Sequence, residues 1–315
     1  MHARFAFAAV LVISLSACDI GRLTVGTTAH ILVRAQPAIN QESDYQLAHD
    51  AIPGTLKTIE GFWVVDPDNA ELLGLLTEGY CQYGTAFVED DWEVAKFAKK
   101  LDEIEYHNGR ATNIFTRCLN YALRQLGARW QTDLFGAPDG VARLAHDTDP
   151  DRRDPLMWAA LALGSIINHN LSRVELLSYQ PAVKLMLDRV IAIDKSHPPS
   201  RPDYAALPHI AFAMLYSATG AQTGGRPADA LAEFKIAIDL TSDKTGPEPK
   251  DKLLLVRTLM GYRLGLVNND QKFFHDQLKL VLETPASVWP EQRLANEVAH
   301  RRARRYLSHE KELFQ

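Results

Sequence analysis

An all-α fold of antiparallel helix pairs is what this sequence predicts, and three observations predict it. From Asp44 onward nearly every segment repeats its apolar residues at spacings of three and four, the period that gathers them on one side of a helix. Short clusters of Pro, Gly, Asn and Asp cut the periodic segments apart, where helices stop and the next ones are capped. No stretch alternates apolar and polar residues over a strand's length.

Taken in order, residues 19 to about 42 carry scattered Gly and Thr with Pro37 and Asn40, and read as a tether that becomes ordered toward its end. In "AELLGLLTEGYCQYGTAF" the inward face is Leu72, Leu75, Leu76, Gly79, Tyr83 and Phe87. In "QPAVKLMLDRVIAID" it is Val183, Leu187, Val190 and Ile191. In "KDKLLLVRTLMGYRLGLV" it is Leu253, Val256, Met260, Leu264 and Val267. The separators are "DPDN" at 66–69, "EDD" at 89–91, "HNG" at 107–109, "SHPPSRPD" at 196–203, "GPEP" at 246–249 and "NND" at 268–270. Together they predict about eleven or twelve helices, mostly about 12 to 20 residues long. "PADALAEFKIAID" has Ala230, Phe234 and Ala237 at the small–large–small positions of the second helix of a tetratricopeptide repeat. "PAVKLMLDRVIAID" looks like the same element one unit earlier, with Ala192 in the late small position. The period is degenerate, because "SATGAQTGGRPAD" is too long for an ordinary turn within a repeat. Stacked helix pairs of this kind make a concave surface or a groove.

Before the helices stands a different kind of segment. Met1-His2-Ala3-Arg4 is a short basic head, and Phe5 to Leu15 is apolar except for Ser14. That run is about half of the ~20 residues a membrane-spanning helix needs, so it reads as an export signal. It ends Leu15-Ser16-Ala17-Cys18, which resembles the lipobox of bacterial lipoproteins. The resemblance implies cleavage before Cys18 and its acylation; stable anchoring takes two or more acyl chains. An ordinary signal peptide with a chance cysteine is the plainer alternative. Asp19, by a further resemblance, favours the inner membrane. The expected division is therefore 1–17 signal peptide, 18–42 lipidated cysteine and tether, and 43–315 a single helical domain in the periplasm.

The bulk numbers narrow the function classes. The chain has 315 residues, 46% hydrophobic and 23% charged, with a formal net charge of −5. That balance offers no general footprint for nucleic acid, and the length suffices for a large core. Beyond Cys18 there are two cysteines, Cys81 and Cys118, each on a helical pattern. Export permits a disulfide between them; two buried free thiols are the expectation, with the bond as the alternative.

Motifs for chemistry are few. "GAQTGGRP" has the glycine spacing of a phosphate loop but Arg226 and Pro227 where Lys and Ser or Thr should stand, so it reads as a turn that starts a helix. Asp147, Asp149 and Asp151 alternate as in a calcium loop, yet Arg152 and Trp158 occupy the positions that need Gly and Glu. Eleven histidines form no metal-ligand motif. His169 and His209 stand out and read as core or capping residues. "HRRARR" at 300–305 reads as a cationic last turn facing the helix dipole and Glu310 and Glu312, with phosphate or headgroup binding as the alternative. No catalytic residue, metal or cofactor is expected. Aromatic side chains are the more informative class: Tyr80, Tyr83, Phe87, Trp158, Phe212 and Tyr216, with His209, are candidates to line an apolar groove or pore.

Several stretches together resemble one family, the T component of TRAP transporters, the TatT-type lipoproteins. The residues that carry the likeness are "ESDYQLAHDAIPGTLKTIEG" (42–61), "PDNAELLGLLTEGYCQYGTAFVED" (67–90), "HIAFAMLYSATGAQTGGRPADALAEFKIAIDL" (209–240) and "QRLANEVAHRRARRYLSHEKELF" (292–314). Residues 93 to 150 resemble it only in pattern. The resemblance implies an all-helical body with a passage or groove, a homotrimer, and docking onto a periplasmic solute-binding protein of an ion-driven transport system, with hydrophobic organic acids as ligands. The competing expectation is a general envelope scaffold whose groove binds peptides or proteins and no small molecule. An enzyme would need a cleft that unites Ser, His and Asp.

Overall fold

A computed structural model of the chain describes residues 20–247 and 249–314. The cleavage site, Cys18 and Asp19 lie outside the described residues. The chain forms α1 (Ile20–Ala35), the single turn α2 (Pro37–Asn40), α3 (Tyr45–Val65), α4 (Ala70–Tyr83), α5 (Glu89–Phe97), α6 (Leu101–Leu126), α7 (Ala128–Asp133) and α8 (Pro138–His146). It continues as α9 (Arg153–Asn168), the turn α10 (Val174–Leu177), α11 (Gln180–Ser196), α12 (Pro202–Tyr216), α13 (Pro227–Thr241), α14 (Leu254–Val267), α15 (Gln271–Glu283), α16 (Arg293–Ser308) and the turn α17 (Glu310–Leu313). Fourteen of these have five residues or more, close to the expected number. Ser242–Asp243 and Lys250–Asp251 pair as two-residue antiparallel strands.

Local chemistry sets many of the ends. Asp44 accepts hydrogen bonds from the backbone N–H of Gln46 and Leu47 (2.9 and 3.1 Å), Asn69 from Leu72 (3.1 Å) and Asp270 from Phe273 (2.9 Å). Each such cap contributes about 1 kcal/mol. Pro202 and Pro227 occupy first helical turns, where the missing N–H costs nothing. The "GAQTGGRP" segment is a turn: Gly225 N–H donates to Gly220 O (3.0 Å) and Arg226 N–H to Tyr216 O (2.8 Å). A Cβ on Gly225 would lie 1.8 Å from the Thr219 carbonyl oxygen. Gly225→Ala is therefore expected to destabilise the protein by about 1–3 kcal/mol, seen as a lower midpoint in urea. An unchanged midpoint would show that the turn relaxes freely.

Three expectations about where helices begin and break need correction. Residues 20–35 are not a tether but a helix whose Val25 and Ala29 are buried, packed on α3 and α4. Thr24, Gly26, Thr27 and Thr28 give it poor intrinsic propensity, and burial of one apolar stripe overrides that. "HNG" does not break α6. Asn108 instead reaches across to α9, donating to the His169 carbonyl oxygen (2.6 Å). "EDD" opens α5, and Gly84–Val88 joins α4 to it as a π-helical turn with no loop between.

Packing follows the chain in pairs: α3 on α4, α4 on α6, α6 on α9, α9 on α11, α12 on α13, and α14 on α15. Ala230, Phe234 and Ala237 are fully buried on α13, opposite Ala206 and Ala213 of α12. Small side chains let these two helices approach, and Phe234 fills the space between them. Ala192, expected inward on α11, is exposed, and Ile193 takes the buried place.

Cys81 of α4 and Cys118 of α6 are joined in a disulfide, with Cα atoms 5.4 Å apart. The expectation of free thiols fails because both cysteines sit where these two helices face each other.

The last long helix returns to the first ones. α16 packs on α2, α3, α14 and α15, and its basic run meets α5. Arg301 and Arg305 donate to Asp90 (2.7 and 2.6 Å), Arg305 also to Glu93, and the Tyr306 hydroxyl to Glu93 (2.8 Å). Arg302, almost fully buried, donates to the Thr85 carbonyl oxygen (2.5 Å). The reading of this run as a last turn facing Glu310 and Glu312 is thus corrected: Glu310 pairs with His275 and Glu312 with Lys99. Burial alone would raise the pKa of Asp90, but Arg305 and Arg302 with the hydrogen bonds from Arg305 and Arg301 outweigh it and hold the carboxyl below its ordinary value. The succession of helix pairs is closed by this contact into a ring.

Candidate functional site

A cavity of about 230 Å³ lies inside that ring. Its wall draws on α2, α3, α4, the π-helical turn, α9, α12, the start of α14 and α16 with the segment before it. Ile52, Leu56 and Ile59 come from one face of α3, at spacings of four and three. Leu207 and Ile210 come from α12, and Leu294 and Val298 from α16. Apolar residues on helices that are already amphipathic for folding thus also face this space. The disulfide braces this wall, since Cys81 is part of it.

One stretch of the wall is polar and continuous. Glu78, buried on α4, accepts from Gln82 Nε2 (2.8 Å) on its own helix and from Gln36 Nε2 (3.2 Å) beside α2. Arg201 stands 3.8 Å from Glu78 and donates to Asp203 (2.6 Å). Gln292 Nε2 donates to the same Asp203 carboxylate (3.0 Å). The Tyr204 hydroxyl lies in the same string; burial first, then the charge of Glu78, raises its pKa far above the ordinary phenol range.

Of the aromatic candidates, the structure brings Tyr83, Phe87 and Trp158 to the cavity wall. Tyr80, His209, Phe212 and Tyr216 are elsewhere. Tyr80 stacks on Tyr121 of α6 with ring centres 6.0 Å apart. His209 pairs through Nδ1 with Glu233 of α13 (2.6 Å). Phe212 and Tyr216 stack on each other (5.4 Å), with Lys184 over the first ring and Arg226 over the second. The reason on α12 is angular. Asp203, Tyr204, Leu207 and Ile210 form its cavity face, and at 3.6 residues per turn His209, Phe212 and Tyr216 fall on the opposite side.

His169 is a core histidine. Its side chain is fully buried, Nδ1 donates to Asn108 Oδ1 (2.8 Å), and its ring packs edge-on against Trp92 (4.8 Å). No group of three or more His, Cys, Asp or Glu among the described residues is placed to hold a metal ion. No helix among them is long and apolar enough to cross a membrane.

Eleven of the lining residues are Leu or Ile, which an aromatic pattern does not mark. The signal available in the sequence was Glu78, a charged residue within the largely apolar "LLGLLTEGYCQY". Polar groups on a buried face need partners or a purpose.

A family model described as TRAP transporter T-component matches residues 41–314. The chain belongs to that family. The match takes in nearly all the helices that form the ring and the cavity wall; α1 and α2 alone precede it. As a T component, the protein is an accessory part of a transport system. No curated protein matches the chain. A solved structure titled "Computational Design of Self-Assembling Cyclic Protein Homooligomers" aligns over 93% of this chain and 96% of its own at 10% identity. Its TM-score of 0.21 is too low to carry an argument.

Proposed function

We propose that this T component is a lipoprotein held to the membrane by acylated Cys18, docking a periplasmic solute-binding protein of its transport system and passing an apolar ligand through the cavity. The observation that carries the reading is the half-open, largely apolar space lined by α3, α4, α9, α12 and α16. The Leu15–Cys18 motif supports the anchor, and Asp19 favours the inner membrane. The resemblance that suggested the family also suggests a homotrimer, which sedimentation of residues 19–315 would test directly.

The deciding experiment is a pull-down. Tagged residues 19–315 are exposed to periplasmic extract from the source cell, and retained proteins are identified by mass spectrometry. One solute-binding protein should be enriched. A clean column sinks the stable-partner reading, and retention of many envelope proteins favours a general scaffold.

Two variants test the remaining parts. Cys18→Ser should abolish labelling by an alkyne fatty acid and move the protein from the membrane to the soluble fraction. Persistent membrane attachment would defeat the lipid anchor. Ala295→Phe places a ring in the cavity and should reduce the uptake of an apolar fluorescent probe by about tenfold, at a stability cost of about 1–3 kcal/mol. Unchanged uptake would show that the probe binds elsewhere.

A further inference from the structure

We infer that the outer face of α1 docks on the phospholipid surface, so that this helix lies flat along the bilayer and fixes how the folded body is turned toward it. The inference rests on the proposed acylation of Cys18 and goes beyond it, because acyl chains alone ask nothing of the body they hold.

Position is the first argument. One residue, Asp19, stands between Cys18 and the first residue of α1, and one residue spans under about 4 Å even when extended. An acylated Cys18 therefore keeps the start of α1 at the lipid. The rest of the helix is fastened along the body. His30 Nδ1 meets Glu71 at 3.2 Å, and just past the helix Gln36 Nε2 donates to Glu78 (3.2 Å). The two pairs step forward along α1 and α4 together, so these helices run parallel. Residues before His30 continue past the start of α4, beside the turn at 66–69. Val64 and Val65, which precede that turn, are exposed as well.

The composition of the outer face is the second argument. Val25 and Ala29 are turned inward and buried. At 3.6 residues per turn, Leu23, Thr27, Ile31 and Arg34 fall on the opposite side. Leu23 and Ile31 are 70% and 61% exposed. Residues 20–41 contain Arg22, His30 and Arg34 but no Asp or Glu, in a chain whose formal net charge is −5. Arg34 is exposed among the outward residues, and its guanidinium suits lipid phosphates. Asp66 and Asp68 stand in the turn that α1 passes, so charge contributes less here than the apolar pair. Two apolar side chains do not hold a free protein on a membrane. Beside an acyl chain the same contact becomes intramolecular, at high effective concentration, and supplies the second signal that stable anchoring takes. Docking also brings the cavity edge formed by Gln36, Ile39 and Asn40 close to the bilayer.

The test uses the lipidated chain purified from cells and returned to vesicles of phosphatidylethanolamine with a minority of phosphatidylglycerol. A fluorophore is attached at Ile31→Cys or, as the control, at Ile236→Cys, exposed on α13 on the far side of α12 from the cavity. Were α1 upright, position 31 would stand about 16 Å above Ile20; lying flat, it touches lipid. Nitroxide-bearing lipid is expected to quench the label at position 31 at least about threefold more than the control. Leu23→Ser with Arg34→Gln changes only exposed side chains. It should leave the thermal midpoint unchanged and bring quenching at position 31 down to the control level. Equal quenching at the two positions, with the protein still sedimenting with the vesicles, overturns the inference and leaves the anchor standing. Protein that does not sediment with vesicles at all overturns both. Quenching that survives Leu23→Ser with Arg34→Gln removes this face as its origin and overturns the inference. A blue shift at position 31 that arises without vesicles and grows with protein concentration assigns the face to a second copy of the chain and overturns it too.

Discussion

Asp90→Ala is expected to lower stability by about 3–5 kcal/mol, because it leaves arginines buried beside the carboxylate without their partner. Asp90 is fully buried, and Arg301, Arg302 and Arg305 converge on it from α16. The paired residues stand 211 and 215 positions apart in the chain, so the contact closes the ring and local structure cannot replace it. In a thermal melt the loss corresponds to a fall of roughly 10 °C. A change of under about 2 °C would show that the ring stays closed without the network.

The same carboxyl makes a prediction in pH. Its folded-state pKa is depressed by the arginines, below an unfolded value of about 3.9. Its contribution is therefore fully present above the unfolded value and is lost as pH falls through the folded one. The stability gap between the unmodified protein and Asp90→Asn should be constant from about pH 5 to 8 and narrow below about pH 4. A gap that persists undiminished at about pH 2.5 would place the depression elsewhere.

Loss of the Cys81–Cys118 bond is the second large effect. The bond closes a loop with a sequence separation of 37 residues, for which the chain-entropy relation gives about 4 kcal/mol. Cys81→Ala with Cys118→Ala is the better variant, since serine would bury hydroxyls in the core. Its urea midpoint should match that of the unmodified protein under a reductant and fall below that of the oxidised protein. Alkylation in denaturant of unreduced, periplasmically expressed protein should label neither cysteine. Labelling of both would return them to free thiols. Because Cys81 also forms part of the cavity wall, reduction should loosen the cavity as well as the fold.

Much of the secondary structure was legible. Asp44, Asn69 and Asp270 cap helices as their positions suggest, and Pro202 and Pro227 begin them. Leu72, Leu76, Val183, Leu187, Val256 and Leu264 are buried where their spacing puts them. The misreadings share a cause. "HNG" and "EDD" carry breaker composition, but their side chains serve partners far away in sequence, Asn108 at His169 and Asp90 at α16. The glycine- and threonine-rich α1 folds because α3 and α4 cover its stripe.

By itself, then, the sequence determined the helical class, the ends of most helices and the family. All of these depend on residues a few positions apart or on short motifs, where spacing and local hydrogen bonding decide. Tertiary structure alone decided which helix faces line the cavity, that Cys81 meets Cys118, and that α16 closes on α5. It also decided that Tyr83, Phe87 and Trp158 face the cavity while Phe212 and Tyr216 do not. α4 and α9 are buried on more than one side, so the apolar period of a helix says that a face is covered but not by which neighbour. The charge pairs that choose the neighbour lie about two hundred residues apart, beyond the reach of any local pattern.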